Sequence, residues 1–236
     1  MPGLGVAETA GIMPNGPSAI AMNHDTRSST RSASAVGRSP LLRVFERWNA
    51  KGAREVDGTP VFKTSRLIVR GWRDDDVESW VQMNADPKVM KFLLRRYTRE
   101  LSESIVRAIR ETLERVGYGW WVVEVRGGLS FAGVICLQDV PFSAPFTPAR
   151  EIGWRFAFEA WGRGYATEAA SAALGFAFDQ LNWNEVVAFT SVANVRSQRV
   201  MQRLGMRHDP RDDFDHPRLE EGHPLRRHLL YRIQKP

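Results

Sequence analysis

The stretch from Glu151 to Met206 constrains this chain most. It reads as strand, glycine turn, helix, strand, helix. The turn is Trp161-Gly162-Arg163-Gly164-Tyr165-Ala166. A glycine turn at a helix N-terminus leaves backbone N–H groups without intrahelical partners, and the helix dipole adds partial positive charge. Such a place suits a phosphate or diphosphate, but the same glycines also suit a ligand-free connection. Before the turn, alternation puts Ile152, Trp154, Phe156 and Phe158 on one face of a strand. Glu151, Gly153, Arg155 and Ala157 take the other. After it, Ala166, Ala169, Ala170, Ala173, Leu174, Ala177 and Leu181 form one stripe of a helix. Val186 to Val192 is the next strand, and Val195 to Leu204 a helix stopped by Gly205.

The remainder of the 236 residues supplies the rest of one domain and a tail. Residues 1–59 read as a disordered or weakly ordered tail rich in Gly, Ser, Ala and Pro. A short helix over 41–51 would carry Leu41, Leu42, Phe45 and Trp48. The domain is expected over residues 60–236. Val61 to Trp72 alternates as a first strand, an aspartate among Asp74, Asp75 and Asp76 caps a helix, and Thr98 caps another through Glu114. Trp120 to Val125 and Phe131 to Leu137 form a hairpin. Asp139 to Arg150 is a loop with phenylalanine anchors, Met206 to Arg226 a polar hairpin connection, and Leu229 to Ile233 the last strand. The order gives a mixed α/β sheet.

Net charge is +6. Without a stripe of basic residues interleaved with aromatics, a phosphorylated ligand is a sufficient anion, and nucleic acid is a minor expectation. No apolar run reaches the ~20 residues of a membrane span. The single cysteine, Cys136, fits a reducing compartment such as the cytoplasm. The histidines His208, His216, His223 and His228 fit no metal-ligand spacing, and histidines in loops are usually solvated.

The residues WGRGYATEA, then a helix, then SVANVRSQRVMQRLGM, resemble the Gcn5-related N-acetyltransferase (GNAT) superfamily. Thr64 to Arg70, followed by Asp86-Pro87-Lys88-Val89-Met90, resembles the start of its RimJ/RimL-like branch. The resemblance covers roughly Phe62 to Ile233. It implies an acyl-CoA N-acyltransferase fold with a mostly antiparallel sheet of six to seven strands flanked by helices. It also implies acetyl-CoA as cosubstrate and an amine as acceptor; a homodimer is compatible with it, and the histidine spacing above gives no metal site.

By resemblance, the backbone from Gly162 through Arg163, Gly164, Tyr165 and Ala166 to Thr167 holds the diphosphate. Trp161 stands where the family signature has Gln or Arg. The strand through Phe156, Ala157 and Phe158 pairs with the pantetheine arm, and an N–H near Phe156 faces the developing oxyanion. Asn194 contacts the cosubstrate and also sits where its helix needs an N-cap; the two roles are compatible. Many members carry a tyrosine seven residues after that asparagine to protonate the thiolate; here it is Met201. Ser197 matches the serine of the RimJ/RimL-like branch and becomes the candidate donor. Glu151, on the polar face of the cofactor strand, is the best candidate base, with Asp139 behind it. The missing tyrosine is the one feature favouring a non-catalytic acetyl-CoA-binding module instead.

Overall fold

The computed structural model describes residues 54–56, 59–93 and 97–236. Most of the tail, including the helix expected over 41–51, lies outside the described residues. Two strands, β1 (Arg54–Val56) and β2 (Thr59–Lys63), are paired antiparallel and begin the sheet ahead of Pro60. The run expected as one strand from Val61 to Trp72 is a hairpin: β2 pairs antiparallel with β3 (Leu67–Arg70), Phe62 opposite Val69. Four polar residues in a row, Lys63 to Arg66, interrupt the alternation, and buried Phe62 and Leu67 fall out of phase across them. Thr64 makes the turn: its N–H donates to the Leu67 carbonyl at 3.0 Å, and its Oγ1 accepts the Leu67 N–H at 2.9 Å.

Helix α1 (Asp76–Ala85) begins among three aspartates. Asp75 holds the N-cap position without a side-chain cap. Asp76 instead accepts the Arg73 N–H at 2.6 Å and grips the Arg70 guanidinium at 2.7 and 3.0 Å. Arg70 gives its Nε to Glu124 at 2.8 Å and bonds the carbonyls of Gly71 and Ser130. With Arg70 5% and Asp76 3% exposed, this ion pair ties the hairpin to α1 from inside. Helix α2 (Arg99–Val116) starts as expected: Thr98 Oγ1 accepts the Leu101 N–H at 3.2 Å, and Gly117 ends it at φ +76°.

The remaining strands are β4 (Trp120–Val125), β5 (Gly133–Asp139), β6 (Arg150–Phe156), β7 (Glu185–Ser191), the two-residue β8 (Arg207–His208) and β9 (Phe214–Asp215), and β10 (Arg227–Gln234). They form one mixed, mostly antiparallel sheet in the order β1-β2-β3-β4-β5-β6-β7-β10-β8, with β9 also on β10. Ten strands exceed the six or seven expected because short pieces complete both ends. The polar connection after Met206 contributes two of them.

Register assigns the faces. Trp121, Ile135 and Trp154 lie in line across β4, β5 and β6, as do Trp120, Cys136 and Gly153 one residue over. Helix α3 (Tyr165–Asp179) covers the first face, with Phe176 5.7 Å from Trp121 between ring centroids. It also packs on α4 (Val195–Arg203). Ala172, Phe176 and Phe178 are therefore buried along with the expected alanine stripe. Helix α1 meets the opposite face, where Asn84 bonds Arg155. Among the described residues no helix is long and apolar enough to cross a membrane.

Replacing Asp76 by alanine leaves Arg70 buried with one carboxylate fewer. Removing one partner of a buried ion pair costs about 3–5 kcal/mol, which urea unfolding of D76A should show; a loss under about 1 kcal/mol would mean Glu124 alone compensates.

Candidate active site

Strand β6 pairs with β5 along its full length, from Arg150 opposite Asp139 to Phe156 opposite Gly133. On its other side β7 runs parallel, with registered pairing at Glu151 opposite Val187 alone. Beyond that pair the strands part around a cavity of about 180 Å³. Trp154 and Arg155 of β6 and Phe189 and Thr190 of β7 line it. Most of the lining from β4, β5 and β6 belongs to one face: Trp120, Cys136, Gln138, Glu151, Gly153 and Arg155. At its floor is Gly153, where a Cβ would stand 3.0 Å from Cys136 Sγ and 3.7 Å from Glu151 Oε1.

Glu151 occupies the neck of this opening. Gln138, its register partner, donates from Nε2 to Glu151 Oε2 at 3.1 Å and accepts Trp120 Nε1–H at 2.9 Å. Burial pushes the Glu151 carboxyl up to about 7, against the opposing Gln138 bond. A carboxylate near that value is divided between acid and base at neutral pH, which suits proton transfer. Cys136 faces the same cavity, but burial holds its thiol well above the usual range and the nearby Glu151 adds to the shift. It remains a thiol and a poor nucleophile. Asp139 lies at the strand end, paired with Arg150.

Helix α4 closes another side. Asn194 Oδ1 accepts the Ser197 N–H at 3.3 Å, and its Nδ2 donates to Thr190 Oγ1 at 3.0 Å. Asn194 is thus the helix cap. Ser197 lines the cavity, and its hydroxyl has no hydrogen-bond partner among the described residues. Met201, one turn on, is buried in the same wall.

The glycine turn lies beyond the strand. Phe158, expected on the strand, follows its end: β6 stops at Phe156, the Ala157 N–H bonds the Ala132 carbonyl at 3.0 Å, and Phe158–Ala160 is a 3-10 turn. Phe158 is exposed, with Lys88 Nζ 3.8 Å from its ring centre. Trp161 makes a structural tie, its Nε1–H donating to the Phe156 carbonyl at 2.8 Å, with the Arg196 guanidinium 4.5 Å from its ring centre. Gly162 and Gly164 have φ of +77° and +78°, the left-handed region that favours glycine. The first rung of α3 is the Glu168 N–H to the Gly164 carbonyl at 3.1 Å, so the N–H groups of Tyr165, Ala166 and Thr167 precede the helix ladder. Thr167 Oγ1 is buried without a partner among the described residues. An orphan hydroxyl beside free N–H groups fits a diphosphate. The Arg163 side chain is exposed.

Sequence reasoning missed what seats this turn. Glu168 accepts Thr64 Oγ1–H at 2.5 Å, the Arg66 N–H at 3.0 Å and Arg66 Nε at 2.7 Å. Arg66 also donates to the Arg163 carbonyl at 2.9 Å. Burial would raise the Glu168 carboxyl, but Thr64 and Arg66 hold it below the usual range. No periodicity links residues about a hundred positions apart. The one available signal was that both lie in stretches carrying the family resemblance.

The family comparison matches this geometry: the acetyltransferase (GNAT) domain model spans residues 66–207, from the Arg66 clamp to the strand after α4. The chain belongs to the GNAT acetyltransferase family. It is similar to the FsC-acetyl coenzyme A-N(2)-transacetylase of Aspergillus fumigatus, 29% identical over 77% of this chain and 82% of that protein. An uncharacterized N-acetyltransferase of Bacillus subtilis, YnaD, is 28% identical over 62% of this chain and 82% of its own. Among solved structures, a GNAT-family acetyltransferase from Bacillus anthracis superposes with a TM-score of 0.61 at 25% identity, covering 74% of this chain and 98% of that one. The protein is an acetyl-CoA-dependent acetyltransferase.

The acetyltransferase cavity has an aromatic wall that the sequence did not announce. His216 and His228 are 6% and 7% exposed, where solvated histidines were expected. The chain reversal through β9 and β10 brings them together. Their ring centroids are 5.0 Å apart, and Phe142 packs 4.7 Å from His216. Burial pushes His216 down to about 4, with His228 and Arg218 adding to the shift; burial also lowers His228. Among the described residues no group of three or more His, Cys, Asp and Glu converges as a metal site. The acidic residues nearby pair locally: Asp209 with Arg211 at 2.5 Å, Asp212 with Arg232 at 2.7 Å, and Asp213 with His208 at 2.7 Å.

The depressed His216 value has a defined consequence. A histidine that protonates more readily unfolded lends stability that is whole above pH ~6.5 and lost as pH falls toward ~4. The urea midpoint should fall more steeply over that window in the natural chain than in H216F; equal slopes would contradict the burial argument.

Proposed function

We propose that this acetyltransferase moves the acetyl group of acetyl-CoA to a primary amine, on a protein N-terminus or a small molecule, by direct attack of nitrogen on the thioester. The observation that carries this reading is Glu151, a carboxyl raised to about 7 at the neck of the cavity between β6 and β7. An alkylammonium titrates near ~10 and a chain terminus near ~8. An acceptor arriving as a cation must lose a proton before its lone pair can attack, and ionised Glu151, directly or through water, takes it.

Acetyl-CoA supplies the activated acyl group. The N–C bond forms as the C–S bond breaks, and the departing sulfur takes a proton. Ser197 is the hydroxyl of α4 available for that donation, where Met201 offers none. The free edge of β6 beside the cavity suits the amides of the pantetheine arm. Gly162 to Thr167 suit the diphosphate, with Arg196 and Arg66 supplying nearby positive charge. The Thr64-Ser65-Arg66 turn seating this loop supports the RimJ/RimL-like branch. The name of the Aspergillus relative, an acetyl coenzyme A N(2)-transacetylase, agrees with a nitrogen acceptor. An ionisable carboxylate and an unbonded serine in one cavity favour catalysis over a purely binding module.

The test is thiol release from acetyl-CoA with peptide, polyamine and small-amine acceptors. Turnover at saturating acceptor should rise through pH ~7 as Glu151 ionises. E151Q should lose that limb and about 100-fold in rate, the lower end for general-base catalysis. Turnover unchanged in E151Q would remove Glu151 from the chemistry. Cosubstrate binding with no transfer to any acceptor would favour the binding module.

A further inference from the structure

The cavity contains a second charged residue that acetyl transfer itself does not require. Arg155 lines it on the same face of β6 as Glu151, with the bare Gly153 between them. It is 8% exposed. Its Nη1 donates to the Asn84 side-chain carbonyl, and the rings of Trp80 and Tyr97 stand 5.1 and 5.3 Å from its guanidinium carbon. Among the described residues no carboxylate bonds it, and its Nε has no partner. Two further buried donors beside it are also unpartnered: Asn84 Nδ2 and Trp80 Nε1.

The other buried arginine shows what compensation looks like. Arg70 spends its guanidinium on two carboxylates and two carbonyls. Arg155 has one amide oxygen and two aromatic faces. Cation–π contact with a desolvated guanidinium is favourable, but it offsets less than burying an unpaired charge costs. Of these residues Arg155 lines the cavity, and a guanidinium there without a carboxylate partner suits an anion.

We propose that Arg155 binds a carboxylate of the acceptor, so that the acceptor class is an amine carrying an acid group at a distance from the nitrogen. This rests on the acetyl-transfer reading for the amine end. Four residues along a strand put the Cα atoms of Glu151 and Arg155 about 13 Å apart, which calls for an elongated acceptor. Asn84 and the Trp80 and Tyr97 rings position the guanidinium; Glu151 takes the amine.

The probes are ω-amino carboxylates from three to eight carbons, each beside its primary amide, and a tripeptide with Glu or Gln at its third position. Binding is read by quenching of tryptophan fluorescence, since Trp80 flanks Arg155 and Trp154 and Trp120 line the cavity. Transfer is read by thiol release. At least one acid should bind saturably and exceed its amide tenfold or more in kcat/KM. R155M should cut the acid-to-amide ratio at least tenfold, and R155K should retain part of it with an unchanged melting temperature. Preference in the ω-amino series alone assigns a small acceptor; preference for the Glu tripeptide assigns a peptide. Acids and amides acetylated alike would overturn the anion site and leave the transferase reading standing. Acid binding lost in R155M, with no acetyl transfer, would keep the site and overturn that reading. Neither binding nor transfer would overturn both.

Discussion

A β-strand inside a sheet normally satisfies its backbone on both edges, and β6 does so on one. β5 pairs with it from end to end, while β7 meets it at Glu151 opposite Val187 and then turns away. A free edge inside a sheet is costly unless water or a ligand completes it. Here it becomes the wall of a cavity between β6 and β7. The rest of the site follows from that parting. Glu151 stands at the last paired position, where burial raises its carboxyl, and α4 brings Ser197 to the other margin.

The glycine turn shows how a fold can vary a signature residue and keep its geometry. The positively charged or amide side chain usual at the first position is replaced by Trp161. Its indole N–H fixes the loop to the end of β6, and positive charge approaches from Arg196 on α4 and Arg66 on the β2–β3 turn. Backbone N–H groups need no particular side chain at the first position. They need the chain held in two left-handed turns, which Gly162 and Gly164 permit and the Glu168 clamp fixes.

Periodicity recovered what is local. The α2 cap at Thr98, the strand–turn–helix unit and the Asn194 cap were all readable from neighbouring residues. The β2–β3 hairpin was missed although the polar run from Lys63 to Arg66 interrupts the alternation, and Phe158 was placed on the strand because it continues the apolar alternation of β6. Long-range pairing was illegible for a different reason. The Arg66–Glu168 clamp, the His216–His228 wall and the Arg155–Asn84 contact join residues that no short window contains. Arg155 in particular read only as a member of the more polar face of a strand. Only the packing of α1 over that face turns it into a buried cation.

Acetyl transfer by this site turns on the ionisation of one carboxyl, which can be observed without any acceptor. Carbon-13 NMR of glutamate-labelled protein, with E151Q assigning the resonance, follows it directly. The Glu151 carboxyl should titrate near 7, as burial at the parting of β6 and β7 requires. Titration near the ordinary glutamate value of about 4.3 would show a solvated carboxylate and contradict the assignment of Glu151 as the base.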